Sequence, residues 1–196
     1  MKKLWLAALL IAALTLAGCT GMTTEPDPSA TSIPPLTEPM FESREQAFAL
    51  YDRVTFTDTL ETMTRRFGEP AEVTTNDNGT VYYWKDAETG SGVAAVFFDN
   101  GRLRSKLVGF EDIRQFGKIS GAKGVANAAS LSKDFDLTSV NLLLGGEGIE
   151  MIRVAQDSSV NPDFNIGYIW ADEDGRAAMV LFNKKGTVEQ VSFSQE

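Results

Sequence analysis

The apolar positions of this chain run first at helical spacing and then at strand spacing, and that order occurs twice. Ala47, Phe48, Leu50 and Tyr51 make one side of a short helix, Arg44 to about Asp52, opened by the capping-box pattern Ser43-Arg44-Glu45-Gln46. Leu60, Met63 and Phe67 fall at i, i+3 and i+7 of a second helix. Asp58, with Glu61 three residues on, is its start signal; Gly68 sits at its stop, and Pro70 forbids continuation. From residue 71 the period becomes two. Strands are predicted over 71–75, 80–85, 93–98 and 102–108, with turns at Asn76-Asp77-Asn78-Gly79 and Asn100-Gly101.

A glycine-bearing connection over residues 109–133 precedes the second occurrence and ends in a weak helical pattern near 125–131. Val140, Leu143 and Leu144 then face one way, and Gly145-Gly146 end that helix as Gly68 ends its counterpart. Strands follow over 150–155, 168–171, 177–182 and 187–193, with a longer polar loop at 156–165. Trp84 and Trp170 lie 86 positions apart, Phe98 and Phe182 lie 84 apart, and Gly101 and Gly186 lie 85 apart. Landmarks that drift so little predict a duplicated unit. The expected fold is α+β: two tandem modules, 41–109 and 110–196, each two helices packed on a four-stranded antiparallel sheet.

The chain begins with basic Met1-Lys2-Lys3 and an unbroken apolar run of 11 residues, Leu4 to Leu14. A bilayer span needs roughly 20, so residues 1–18 read as a signal peptide. Leu16-Ala17-Gly18-Cys19 resembles the lipobox of bacterial lipoproteins, which implies cleavage before Cys19 and acylation of its thiol. Cys19 is the sole cysteine, so a thiol used this way leaves no disulfide to brace the fold. Residues 20–40 hold five of the seven prolines and predict an extended tether, reaching roughly 60 Å in the polyproline form. Localisation is then the cell envelope, on the outer side of the cytoplasmic membrane or at the outer membrane. Thr20 is not the aspartate that retains many lipoproteins at the inner membrane of diderm bacteria.

Composition narrows the chemistry. A formal charge of −9 repels phosphate backbones, so nucleic acid is not an expected partner. With no histidine and no free thiol, the chain lacks the parts of a nucleophilic triad and of a zinc site. Asp172-Glu173-Asp174-Gly175 lacks the ligand spacing of a calcium loop, and Gly145-Gly146-Glu147-Gly148 ends a helix instead of opening a phosphate loop. No enzyme, metal or cofactor is expected.

The stretches Phe56 to Pro70 and Tyr82 to Lys106, weakly echoed at Phe135 to Gly145 and Tyr168 to Phe193, resemble the β-lactamase inhibitory protein family. The small outer-membrane assembly lipoproteins are similar to a single such module. The resemblance implies tandem helix-helix-sheet modules and a partner that is a β-lactamase or penicillin-binding enzyme. The family's disulfide in each module has no counterpart here. What remains are surfaces. Tyr82, Trp84, Tyr168 and Trp170 recur at matching strand positions and read either as core or as aromatic anchors. With Val81, and Gly167 with Ile169, as the natural core set, alternation favours a face turned away from the helices. Arg102, Arg104 and Lys106 make a cationic row on the last strand of the first unit, solvated or facing a partner. The expected function is a non-enzymatic, lipid-anchored envelope protein that binds another protein through its sheet. The alternatives are an envelope-assembly scaffold and a binder of small molecules or glycans.

Overall fold

A computed structural model describes residues 43–76, 79–87, 90–109 and 119–194. The signal peptide, Cys19, the tether and the turn residues 77–78 lie outside the described residues. Helix α1 spans Arg44–Arg53, and Ser43 caps it by accepting the Gln46 N–H at 3.3 Å. Helix α2 spans Leu60–Phe67. Its cap is Thr59, one residue past the sequence expectation: Thr59 and Thr62 exchange side-chain and backbone hydrogen bonds. Gly68, at φ 82°, ends it. Strands β1 (Glu72–Asn76), β2 (Gly79–Lys85), β3 (Gly92–Phe97) and β4 (Leu103–Gly109) follow.

The second half repeats this order. The helix expected near 125–131 is a 3-10 helix, Val125–Ser130, not an α-helix. Helix α3 spans Leu137–Leu144, capped by Asp136 and ended by Gly145 in the left-handed region. Strands β5 (Ile149–Ala155), β6 (Phe164–Ala171), β7 (Ala177–Phe182) and β8 (Val188–Ser194) complete it.

The expectation of two four-stranded sheets is corrected by the strand order. All eight strands form one antiparallel sheet in sequence order, because β4 pairs with β5 through Ser105↔Val154, Lys106↔Arg153 and Leu107↔Ile152. β4 and β5 each carry apolar residues in this stretch, and joining them removes two open edges.

Register defines two faces across all eight strands. Val73, Tyr82, Ala95, Lys106, Arg153, Ile166, Phe182 and Val188 share one row. Glu72, Tyr83, Ala94, Leu107, Ile152, Gly167, Leu181 and Gln190 share the row that points the other way. Helices α1, α2 and α3 and the 3-10 helix lie on the first face. Lys106 reaches the C-terminal carbonyls of α1, and Trp84 reaches the end of α2. Val125, Ala128, Val140 and Leu144 pack with Trp170, Ala178, Val180 and Phe182 in a second core.

The two halves share several equivalent contacts. Leu103 donates its backbone N–H to Asp58 O, and Val188 donates to Phe135 O. Bridges Thr59↔Arg102 and Asp136↔Thr187 correspond, as do bulges at Val96/Phe97 and Leu181/Phe182. These place Phe97, not Phe98, opposite Phe182 in the repeat. The one-position drift lies in the β2–β3 connection, which is a residue longer than the β6–β7 connection.

Candidate binding surface

The aromatic residues singled out by sequence are architecture. Trp84 and Trp170 are 1% and 0% exposed, so the expectation that they face away from the helices is overturned. Each indole N–H donates to the backbone carbonyl of a glycine at a helix end, Gly68 O at 2.9 Å and Gly146 O at 3.0 Å. A buried indole needs such an acceptor, and the last carbonyls of a helix have none within it. Tyr82 and Tyr168 are half-buried beside them, with ring centroids 6.1 and 6.3 Å from their tryptophans. Phe97 and Phe182 close each cluster edge-on at 5.6 and 5.7 Å from the tyrosines.

The cationic row is also broken. The bulge pairs Val96 with Ser105 and Phe97 with Leu103, which makes Arg104 the extra residue and shifts what precedes it by one face. Arg102 sits in the bridge to Thr59, and Arg104 lies over the Phe98 ring at 5.8 Å. Lys106 is buried on the helix side, 9% exposed. Its ammonium donates to Tyr51 O at 2.9 Å and Val54 O at 2.8 Å, and stands 4.0 Å from the Tyr51 ring centroid. Burial pulls its pKa below the ordinary lysine value, against the opposing charge of Glu150. A cation against the last carbonyls of a helix is favourably placed, so Lys106 caps α1 and is not a surface contact.

Sequence reading missed the cluster that joins the halves beside it. Arg153 grips the Glu150 carboxylate through Nε at 3.1 Å and Nη2 at 2.8 Å, and the Tyr51 hydroxyl donates to the same carboxylate at 2.9 Å. Burial and the Glu150 charge push the Tyr51 phenol well above its usual range, which keeps it protonated. Glu150 and Arg153 are three apart in a strand, a spacing that alternation assigns to opposite faces. A bulge at Met151 brings them to one side. Phe56 meets Phe164 edge-on at 4.6 Å and extends the contact between halves.

Asp58 ties α1 to α2. It accepts the Thr55 N–H at 2.8 Å and Arg66 Nη1 at 2.6 Å, while Arg66 Nη2 reaches Arg53 O at 2.7 Å. Burial raises the Asp58 carboxyl, but the Thr55 amide and Arg66 outweigh it and hold the pKa below the usual carboxylate range. The charged form therefore contributes stability above about pH 4, the unfolded value, and that contribution is lost as pH falls through the folded-state pKa. Asp58→Asn is expected to cost about 1–3 kcal/mol at pH 7, and less at pH 3. Urea unfolding at both pH values reads this; an equal loss at both would show that ionisation of Asp58 is irrelevant.

Among the described residues no group of three or more acids, cysteines or histidines is arranged to hold a metal. Asp172, buried, is used by Arg176 at 2.6 Å and by the Asp174 and Arg176 amides, which accounts for the acidic turn as a hairpin. No helix among the described residues is long and apolar enough to cross a membrane.

The face turned from α1, α2 and α3 is apolar across both halves. Val81, Ala94, Val96, Leu107, Ile152, Ile169 and Leu181 are its buried floor, and Tyr83, Val154 and Met179 are half-buried. Its centre is built of small residues under larger ones. Tyr83 lies across Gly92 and Gly109, and Ile152 lies across Gly167, where any Cβ would collide.

No protein-family model and no curated protein matches the chain. Among solved structures it is similar to one described as a “putative beta-lactamase inhibitor protein” from Streptococcus mutans. The two are 12% identical, with 79% of this chain and 99% of that chain covered and a TM-score of 0.44.

Proposed function

We propose that this chain is a non-enzymatic envelope lipoprotein that binds another protein on the face of its sheet turned away from α1, α2 and α3. The observation that carries the reading is the row Tyr83, Ala94, Leu107, Ile152, Gly167 and Leu181. It runs apolar from β2 to β7, opposite the face that carries α1, α2, α3 and the 3-10 helix. A sheet whose two faces are both apolar is built to be covered on both. The residues first expected to carry chemistry or contacts are occupied internally, which leaves the half-buried residues of this face, above its closed floor, for recognition. Tyr83, Val154 and Met179 are its accessible contacts. The sequence resemblance makes a β-lactamase or penicillin-binding enzyme the target class, and the tandem halves give a surface that one partner spans.

The test is capture from detergent-solubilised envelopes with the full chain and with a Tyr83→Ala/Met179→Lys variant. The expected result is a single soluble hydrolase retained by the wild type and reduced at least about tenfold in the variant, the size of one lost anchor. Equal retention by both proteins, or capture of an integral-membrane complex, would count against it. The anchor has its own test: Cys19→Ser should abolish acyl labelling, and unchanged labelling ends the lipoprotein reading.

A further inference from the structure

Among the described residues the internal repeat has one half with an edge filled and the other with the same edge open. Strand β4 begins at a bridge to the helix cap, Thr59↔Arg102, and its outer edge then takes β5 through Ser105, Lys106 and Leu107. Strand β8 begins at the matching bridge, Asp136↔Thr187, after the matching bulge against β7. The residues of β8 equivalent to Ser105-Lys106-Leu107 are Gln190-Val191-Ser192. Among the described residues β7 is the strand partner of β8, and the sheet ends there.

The two ends of the sheet differ in protection. β1 has five residues, mostly exposed, begins two positions after Pro70, and carries Glu72. Short length, proline and charge are the usual means of blunting an edge. β8 has seven residues, no proline, and one charge, Glu189, with Gln190, Val191, Ser192 and Phe193 half-buried.

We propose that the outer edge of β8 pairs antiparallel with β8 of a second copy of this chain, centred on Val191, so that the sheet continues across a two-fold axis. Self-pairing about Val191 sets Val191 against itself, Gln190 against Ser192, and Glu189 against Phe193. No like charges meet across the pair. The arrangement uses the same edge that β4 uses for β5, and a two-fold contact closes at two copies. It is independent of the face assigned above to a partner protein.

Sedimentation equilibrium of the full chain in density-matched mild detergent, at two detergent-to-protein ratios, decides it. The wild type should have the mass of two chains at both ratios. Gln190→Lys/Ser192→Lys, which places lysines on the edge strand, should have the mass of one chain with an unchanged melting temperature. Thr75→Lys on β1 should leave the mass at two. A wild type of one chain at all concentrations, assemblies larger than two, or a β8 variant that stays at two would each overturn the proposal.

Discussion

Trp84→Ala and Trp170→Ala should each lower stability by about 3–5 kcal/mol, the range for emptying a buried aromatic site. Each indole is fully enclosed and each donates to a glycine carbonyl at the end of the helix it supports. Alanine removes the packing of a strand against a helix, leaves Gly68 O or Gly146 O without its donor, and separates the tyrosine from the phenylalanine beside it. Such a loss consumes much of the stability of an ordinary domain. Trp84→Phe keeps most of the volume and should recover part of it. Equilibrium urea unfolding measures all three. A change within about 0.5 kcal/mol, as for a surface substitution, would return the tryptophans to the role of partner anchors.

Lys106→Ala should cost about 2–4 kcal/mol, because Tyr51 O and Val54 O lose their donor and an unmet buried acceptor costs about 1–3 kcal/mol. Lys106→Met separates the terms: it restores the stem volume without the ammonium, so whatever it fails to recover belongs to the cap. The expectation for an exposed cation in a surface row is a negligible effect in both variants. Thermal and urea unfolding of the two variants against Arg104→Ala, whose half-buried side chain lies over the Phe98 ring, makes the comparison within one strand.

The elements of this fold were legible, and their faces were not. Helix α1 and strand β7 match the pattern almost residue for residue, since capping at Ser43, helical spacing of Phe48 and Tyr51, and a continuous apolar run are local signals. Strand β6 begins four residues before Tyr168: Phe164-Asn165-Ile166-Gly167 does alternate, but it directly continues the polar stretch 156–163 and merges with the expected loop. Alternation also failed at Tyr82 and Trp84. It identifies two faces but labels neither, and here Val81, Tyr83, Ala94 and Leu107 make the second face as apolar as the first. A signal was present. Each tryptophan follows a helix-stopping glycine, and a strand tryptophan that needs an acceptor fits the open carbonyls there.

Bulges account for the remaining misses. Arg104 and Met151 are the extra residues in their strands, and each reverses the faces of everything beyond it. That moved Lys106 under α1 and brought Glu150 and Arg153 together. Nothing in the residue types at these positions marks an insertion; it follows from how β4 and β5 meet their neighbours. The continuous sheet was hidden for the same reason, since the pairing of β4 with β5 joins residues 45 or more positions apart.

The face that spans both halves depends on the eight strands forming one sheet, and the β4–β5 junction is where that is decided. Native-state amide hydrogen exchange of Ser105, Lys106, Leu107, Ile152, Arg153 and Val154 reads it directly. The amides among them that lie in the junction should exchange as slowly as those of the central strands β3 and β6, opening only with global unfolding. Fast exchange throughout these six residues, with β3 and β6 still protected, would mean two separate four-stranded sheets and would contradict the account.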